Sequence, residues 1–480
     1  MSARLAYLAV EAAASGHAVE QSLYHHTHLV DEPLGIVLFH PAGEPFAPAA
    51  IAYGTSTADR HNAVCRDPRN RELLFASLTP FAEWFNMIFE LPGASREKNK
   101  RGDEIATGIS QVIVPNLGTW TALGLLGRRL AYLSAPEGET PPQQLVTLGQ
   151  HLQFLVRHDL DGQQITVPMT SLLNDRWATP LSEEESLSLP ALDAWVAPPM
   201  GRTGWDAAWA AETLPLGPLA SAESDSELDA LLRARRDEAN GSSKARTLDC
   251  NIDALLSGWL DDPWDLLWST WQRERSQAAA AHVEGRVVTD AEAYTNHLDW
   301  QARAGGIRRT RSTARQAAVT RNDYERATQR LTYEEAIDDP LRLVPHLLDG
   351  KGFTGAVEAV DTDHRRVPDG KKRLVSRPLI TVDTDREIFL ARGTELTWPD
   401  GLAQVWVVDE ITNGGKSVTL YRNTGTAPPP GERLIPDVGE RVAFTTLTPP
   451  SNYRMRLSET PPWSHEPAVS TPPASLEEDD

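Results

Sequence analysis

The sequence predicts an α+β protein of several domains: a mainly helical body with a few N-terminal strands, a helical middle region, a small antiparallel β-barrel of the SH3-like or OB-like kind, and a disordered acidic tail. Up to Gly350 the apolar residues recur mostly at helical spacing, whereas from Lys351 to about Pro449 short β-type runs alternate with turn sequences. The length of 480 residues is too great for one ordinary hydrophobic core, so about two or three domains are expected.

The N-terminal domain is predicted to span residues 1–216 and to begin with a helix at 2–24. Two strand-like runs follow at 35–40 and 49–53, and a proline-rich loop joins them. Beyond them, apolar residues at helical spacing predict further helices. These helices are placed at 70–90, 117–133 and 142–158.

Residues 217–247 are predicted to be a linker between two domains. Gly217-Pro218 at its start and Asn240-Gly241-Ser242-Ser243 near its end are typical of loops. Only a weak helix, at about 226–237, is expected between them. The linker therefore marks the predicted boundary between the body and the middle region.

The middle region, residues 248–350, is predicted to be helical, and Thr332 and Glu335 have the spacing of a capping box. It also contains three tryptophans at positions i, i+4 and i+7, which place them along one helical stripe. An aromatic stripe can stack nucleic-acid bases, but burial in a helical core is the favoured interpretation. These residues are Trp264, Trp268 and Trp271.

The small barrel is predicted over residues 351–449, because turn sequences such as Asn413-Gly414-Gly415 separate several short strands. The strand candidates are 353–360, 373–382, 387–391, 395–398, 404–410, 417–422 and 441–447. This segment carries 13 Lys and Arg against 14 Asp and Glu, a net charge of −1, whereas the whole chain carries −21. A nearly neutral module on an acidic body is suited to contact with another molecule.

One sequence in the barrel imitates a nucleotide-binding site. The run 405–410 resembles a Walker B strand, and Gly414-Gly415-Lys416-Ser417 resembles the end of a P-loop. A P-loop needs a glycine five positions before Gly415, where this chain has Glu410, and it needs a helix after the lysine. The residues after Lys416 are typical of a strand, so we expect a hairpin.

The overall charge argues against a protein that coats nucleic acid, because phosphate binding draws on clustered Lys and Arg. A local cationic patch can still bind while the rest of the chain repels. The last segment, 450–480, is rich in proline and ends in Glu477-Glu478-Asp479-Asp480, so it is predicted to be a disordered acidic tail.

No apolar run approaches the ~18–20 residues that cross a bilayer, so no membrane partner is expected. The two cysteines, Cys65 and Cys250, lack the spacing of a zinc site or a disulfide framework. A cytoplasmic location and no cofactor are therefore expected.

Two arginine-rich runs are the candidate nucleic-acid or partner-binding residues. On a helix, Arg308, Arg311 and Arg315 share a face, and the second run falls in the first long loop of the predicted barrel. The two runs could form one phosphate-binding surface, or their residues could pair with acidic neighbours in the same chain. The candidates are Arg308, Arg309, Arg311, Arg315, Arg365, Arg366, Lys371, Lys372, Arg373 and Arg377.

Histidines are densest near the N-terminus, where His26, His28 and His40 are weak candidates for a metal site. A His-x-His pair on a strand places two imidazoles on one face, as some metallohydrolases require. A clear second ligand motif is missing, so loop or surface histidines are the favoured interpretation and no metal is expected.

The sequence thus favours a non-catalytic accessory or scaffold protein that binds a macromolecular partner through its middle region and barrel. The partner could be a protein of a nucleic-acid-processing or genome-defence assembly, or the nucleic acid itself. The alternative is a metal-dependent hydrolase that uses the N-terminal histidines.

Overall fold

The computed structural model describes residues 3–99, 101–134, 140–158, 162–212, 214, 217–304, 313–367, 372–401, 404–423 and 434–449. These residues form a helix-rich body with a mixed sheet and a closed antiparallel barrel, so the α+β class and the small barrel are confirmed. The tail predicted at 450–480 lies outside the described residues.

The helices of the described residues are α1 Ala3–Ser15, α2 Arg71–Glu90, α3 Leu117–Ala131, α4 Gln143–Arg157, α5 Met169–Arg176, α6 Leu189–Val196, α7 Gly204–Ala211, α8 Ala222–Arg236, α9 Ser243–Gly258, α10 Asp261–Arg275, α11 Val283–Ala304, α12 Ala314–Asp338 and α13 Pro340–Leu348. Within the part of the chain that the structure describes, none of them combines the length and apolar character that crossing a bilayer requires.

The strands of the body are β1 Val19–Glu20, β2 Leu34–Phe39, β3 Ala50–Gly54, β4 His61–Val64, β5 Arg96–Lys98, β6 Glu104–Ala106, β7 Val112–Val114, β8 Thr166–Pro168 and β9 Trp177–Ala178. Those of the C-terminal region are β10 Gly352–Asp361, β11 Arg365–Arg366, β12 Val375–Ser376, β13 Leu379–Thr384, β14 Glu395–Trp398, β15 Gln404–Thr412, β16 Ser417–Arg422 and β17 Arg441–Thr445.

A five-stranded sheet lies at the centre of the body in the order β4-β3-β2-β7-β8. β2 pairs antiparallel with β3 and parallel with β7, and β7 pairs parallel with β8. Along β2, Ile36 and Leu38 belong to one core cluster and Val37 and Phe39 to another. This alternation follows the two-residue period of a strand, so both faces of the sheet are covered.

The first core cluster contains residues of α2, α3 and α4, which confirm the helices predicted at 70–90, 117–133 and 142–158. α2 begins where the side chain of Asn70 accepts hydrogen bonds from the N–H groups of Glu72 and Leu73.

The second core cluster contains the tryptophan stripe of α10. Trp264, Trp268 and Trp271 are each buried, with adjacent rings in edge-to-face contact. Their burial confirms the core interpretation, so this stripe offers no platform for bases.

The helix predicted at 2–24 is wrong in its length, because α1 ends at Ser15. Gly16 follows with a φ of 76°, and its N–H donates to the carbonyl of Ala12 over 2.9 Å. A glycine in the left-handed region at this position closes a helix, and the chain then turns into β1.

The capping box predicted at Thr332 and Glu335 is also wrong, because both residues lie inside the continuous helix α12. The capping box of this helix is formed instead by Thr313 and Gln316. The helix ends before Asp339, which caps the start of α13.

The segment 217–247 contains α8 and the first residues of α9. Leu228 of α8 is buried in the second core cluster, and Arg235 donates to Asp249 of α9 over 2.7 Å. A helix is thus present near the expected position, while the domain boundaries stay predictions.

The barrel closes in the order β10-β13-β16-β15-β14-β17 with antiparallel pairing throughout. Trp398, Trp406 and Phe444 fill its interior. The hairpin expected at Asn413-Gly414-Gly415 is confirmed, since β15 and β16 pair across it. The P-loop resemblance therefore has no counterpart in the fold.

Two strand predictions in this region need correction. The run 373–382 is divided into β12 and β13, and Pro378 between them has no N–H to donate to a ladder. The run 387–391 forms no strand: Ile388 donates to the carbonyl of Gly415, while Phe389 is 86% exposed.

Candidate partner-binding surface

A two-stranded hairpin follows the end of β10 and stands outside the barrel ladder. β11 pairs antiparallel with β12, with Arg365 opposite Ser376 and Arg366 opposite Val375, and the N–H of Arg377 donates to the carbonyl of His364 over 2.8 Å. We call residues 364–367 and 372–377 the cationic hairpin. Its basic side chains are Arg365, Arg366, Lys372, Arg373 and Arg377.

The base of the cationic hairpin is anchored on the barrel wall by Arg366. Its guanidinium donates to Asp409 over 2.7 Å and lies 4.5 Å above the ring of Tyr421. Arg392 donates to the same carboxylate oxygen over 3.1 Å. Burial alone would raise the pKa of Asp409, but the hydrogen bonds from the two arginines hold it below its ordinary value.

A second pair of cations lies where the hairpin returns to the barrel. Burial lowers the pKa of the Arg422 guanidinium, and the positive charge of Arg377 lowers it further. The Nε of Arg422 is buried and has no hydrogen-bond partner among the described residues. Like charges brought this close create a positive potential that an anion would relieve.

Three basic side chains of the cationic hairpin are open to solvent. Arg365, Lys372 and Arg373 are exposed, and their side chains form no ion pair with another described residue. The two interpretations left open by the sequence thus apply to different residues: Arg366 pairs within the chain, while Arg365, Lys372 and Arg373 keep their charges available.

The structure brings together only part of the predicted set. Arg315 is exposed in the first turn of α12 and belongs to a different element from the hairpin. The predicted candidates Arg308, Arg309, Arg311 and Lys371 lie outside the described residues.

Four residues of this surface were missed by sequence reasoning: Tyr421, Arg422, Asp409 and Arg392. The register of β15 and β16 sets Trp406 opposite Arg422 and Val407 opposite Tyr421. The strands thus carry Asp409, Tyr421 and Arg422 to the hairpin from 43 or more positions beyond Arg366, while Arg392 comes from the loop before β14. No local sequence motif indicates these contacts.

The N-terminal histidines take separate structural roles. His40 at the end of β2 has its Nδ1 3.0 Å from the carbonyl of Pro41. The backbone N–H of His28 donates to Gln164, and burial lowers the pKa of the His28 imidazole. Among the residues that the structure describes, no three His, Cys, Asp or Glu side chains are grouped to hold a metal ion. No observation there favours the metal-dependent hydrolase.

His26 lies in a buried polar network that superficially resembles a Ser-His-Asp triad. The hydroxyl of Ser22 donates to Asp339 over 2.6 Å and lies 3.1 Å from Nε2 of His26. In a triad the imidazole stands between serine and carboxylate, with one nitrogen toward each. Here the same nitrogen faces both groups, and Ser22 is fully buried. The network instead fixes the start of α13 on the N-terminal segment.

No protein-family model, curated protein or solved structure matches this chain.

Proposed function

We propose that this protein is a non-catalytic accessory or scaffold protein that binds a macromolecular partner through its small barrel. The cationic hairpin is the contact element. The supporting observation is the exposure of Arg365, Lys372 and Arg373 on one hairpin of the barrel module, whose net charge over 351–449 is −1. A barrel of the SH3-like or OB-like kind suits this role.

The partner presents a negatively charged surface to the hairpin. The phosphate backbone of single-stranded nucleic acid is the first candidate, because guanidinium groups bind phosphates with two parallel hydrogen bonds. An acidic protein of the same nucleic-acid-processing or genome-defence assembly is the second. The whole chain carries a net charge of −21, and the acidic body would repel a negatively charged partner. Contact with either partner would therefore be confined to the barrel.

The test is a binding titration of the full chain with a fluorescent single-stranded oligonucleotide at several salt concentrations. We expect the double variant Lys372→Glu/Arg373→Glu to weaken binding and to flatten the salt dependence. Each lost phosphate contact removes about 0.7 from the slope for a single strand. The matched control Arg69→Glu/Arg233→Glu makes the same change in charge at exposed positions of the body and should leave the slope unchanged.

If the unaltered chain shows no affinity for the oligonucleotide at low salt, the nucleic-acid partner is excluded. The same pair of variants then tests the protein partner. A protein retained by the unaltered chain and the control, but lost by the hairpin variant, would support the proposal. Retention by all three would overturn it.

A further inference from the structure

A second cationic feature lies at the seam where α12 and α13 dock on the body. A cavity of about 280 Å³ opens there between α1, α12 and α13. Its polar lining residues are Arg4, Gln21, Thr332, Glu335, Arg342 and His346. Since a water needs only about 10–15 Å³ of such space, the cavity has room for a small polyatomic ion with several waters.

The basic side chains of this cavity converge from two elements. Burial, and then the charge of Lys351, lowers the pKa of His346, so the two arginines carry the positive charge. Arg4 comes from α1, while Arg342 and His346 lie four residues apart on α13 and so share a helix face. Burial lowers the pKa of Arg4 and the charge of Arg342 lowers it further, although Asp339 acts in the opposite direction. The two guanidinium groups are therefore close enough to repel each other.

Several donors of these side chains are unused. Arg342 donates through Nη2 to the side chain and backbone of Asp175, but its Nε is buried without a hydrogen-bond partner in the described residues. The buried Nδ1 of His346 likewise has none there. Within the described residues, the one hydrogen bond of the Arg4 side chain is a long one, 3.4 Å, to the carbonyl of Gln21. Buried donors left in this state cost stability unless a ligand or water accepts from them.

One acidic side chain, Glu335, also lines the cavity. Burial raises its pKa and the nearby charge of Asp175 raises it further, against the effect of Arg342. A carboxyl group with a raised pKa is more readily protonated, and in that form it donates a hydrogen bond to an anion. A glutamate whose pKa is raised opposes the binding of an anion less than one with an ordinary pKa.

We propose that this cavity binds a small oxyanion, either inorganic phosphate or the phosphate group of a small metabolite. Arg4 and Arg342 would supply charge-assisted hydrogen bonds, and His346 and Thr332 would complete the shell. The ligand would bridge α1 and α13, and it would thereby hold the helix that leads into the barrel against the body.

The direct test is isothermal titration calorimetry of the full chain with inorganic phosphate, against chloride at equal ionic strength. We expect one saturable site, and a phosphate-dependent rise in melting temperature. Arg4→Gln should weaken binding by about tenfold or more, since one charge-assisted hydrogen bond is lost. Thr332→Leu should weaken binding to a similar degree, because the larger side chain fills the cavity. This variant leaves both arginines in place, so its loss of affinity cannot come from a change in charge.

Two control variants separate this site from the proposed partner-binding surface. Lys372→Glu/Arg373→Glu alters the cationic hairpin and should leave the phosphate isotherm unchanged, as should Arg233→Gln on the exposed face of α8. Glycerol phosphate then distinguishes the two sources of ligand: tighter binding than inorganic phosphate indicates a metabolite, and weaker binding indicates the free ion. Absence of saturable binding, or binding by Arg4→Gln and Thr332→Leu as tight as that of the unaltered chain, would overturn the proposal.

Discussion

The sheet of the body and the barrel wall use their two faces in opposite ways. Every residue of β2 and β3 is buried, because core clusters lie on both sides of that sheet. In the barrel, β13 alternates, with Ile380 and Val382 buried and Leu379 and Thr381 only partly covered. A sheet with two buried faces supports the structure, whereas a wall with one outer face can present side chains to a partner.

The cores also differ in chemistry. The barrel interior is apolar and aromatic, around Trp406 and Phe444. The body contains a polar chain in which the exposed Glu90 bonds the buried His151, and His151 bonds the buried His297 of α11, over 3.0 and 2.9 Å. Burial lowers the pKa of His151, and the carboxylate of Glu90 opposes that effect. This chain ties α11, from the predicted middle region, to the N-terminal helices.

The largest expected effects come from replacing one buried phenylalanine with alanine in each region. Phe89→Ala in the body and Phe444→Ala in the barrel each remove a fully buried ring, at a cost of about 3–5 kcal/mol in the free energy of unfolding. Because the barrel is predicted to be a separate domain, we expect each change to act locally. Hydrogen exchange should quicken at 34–39 and 50–54 in the first variant and at 353–360 and 441–445 in the second. Equal quickening everywhere in both variants would show one cooperative unit.

The next largest effect is expected at the contact that joins α13, the helix that leads into the barrel, to the N-terminal segment of the body. Asp339 is fully buried and accepts from Ser22 and from the N–H groups of Leu23 and Leu341 over 2.6–2.8 Å. Asp339→Ala leaves these donors without their acceptor, so we expect unfolding to become easier by about 2–3 kcal/mol. Urea denaturation measures the change, and Asp385→Ala on the exposed barrel surface is the control.

The contribution of Asp339 should also depend on pH. Burial alone would raise the pKa of Asp339, but hydrogen bonds from His26, Ser22, Leu341 and Leu23 hold it well below its ordinary value. A depressed pKa in the folded state gives stability that is present above the unfolded pKa, about 3.9, and is lost as pH falls through the folded value. The stability difference between the unaltered chain and Asp339→Asn should therefore narrow below about pH 4. A constant difference would show that the charge of Asp339 contributes nothing.

A smaller effect is expected at two turns in which a glycine has a positive φ. Gly414 in the barrel hairpin has a φ of 63° and Gly102 in the body a φ of 87°, and a Cβ at either would meet no atom within 4 Å. Alanine at Gly414 should cost about 1 kcal/mol, because L residues avoid this conformation. Gly102→Ala should cost less, since the exposed β5–β6 hairpin can relax. The midpoints of urea denaturation of the two variants measure these costs. A larger loss of stability for Gly102→Ala than for Gly414→Ala would contradict the prediction.

The smallest effect should come from an exposed ion pair on α12. Arg321 and Glu325 lie 2.9 Å apart, with side chains 82% and 55% exposed. Glu325→Gln should change the free energy of unfolding by no more than about 0.5 kcal/mol. A loss above about 1 kcal/mol in thermal unfolding would show that this face of α12 belongs to a larger network.

The elements that the sequence predicted best are those specified by local pattern. The helices around Leu78 and Leu126, the buried Trp268 and the hairpin at Gly414 all follow from spacing or turn chemistry that lies within a few residues. The parallel strands β7 and β8 were missed because each has three residues and pairs with a strand far along the chain.

The candidate site was predicted only in part for the same reason. The cationic hairpin could be recognised from consecutive basic residues, such as Lys372 and Arg373. The approach of Arg377 to Arg422 depends on barrel register, and the cavity at Arg4 and Arg342 joins residues from opposite ends of the body. Tertiary packing brings these residues together, and no periodic pattern in the sequence indicates the contacts.

Closure of the barrel limits how other chains can associate with it. Each strand of the ring hydrogen-bonds to a neighbour on either side, so the ring offers no open edge to an incoming strand. Strand addition, which many modules use to capture peptides and which also drives sheet aggregation, is thereby blocked at the ring. For the partner proposed above, selection would then operate through side chains on the outer wall and hairpin, where a few substitutions can change affinity without disturbing the ladder.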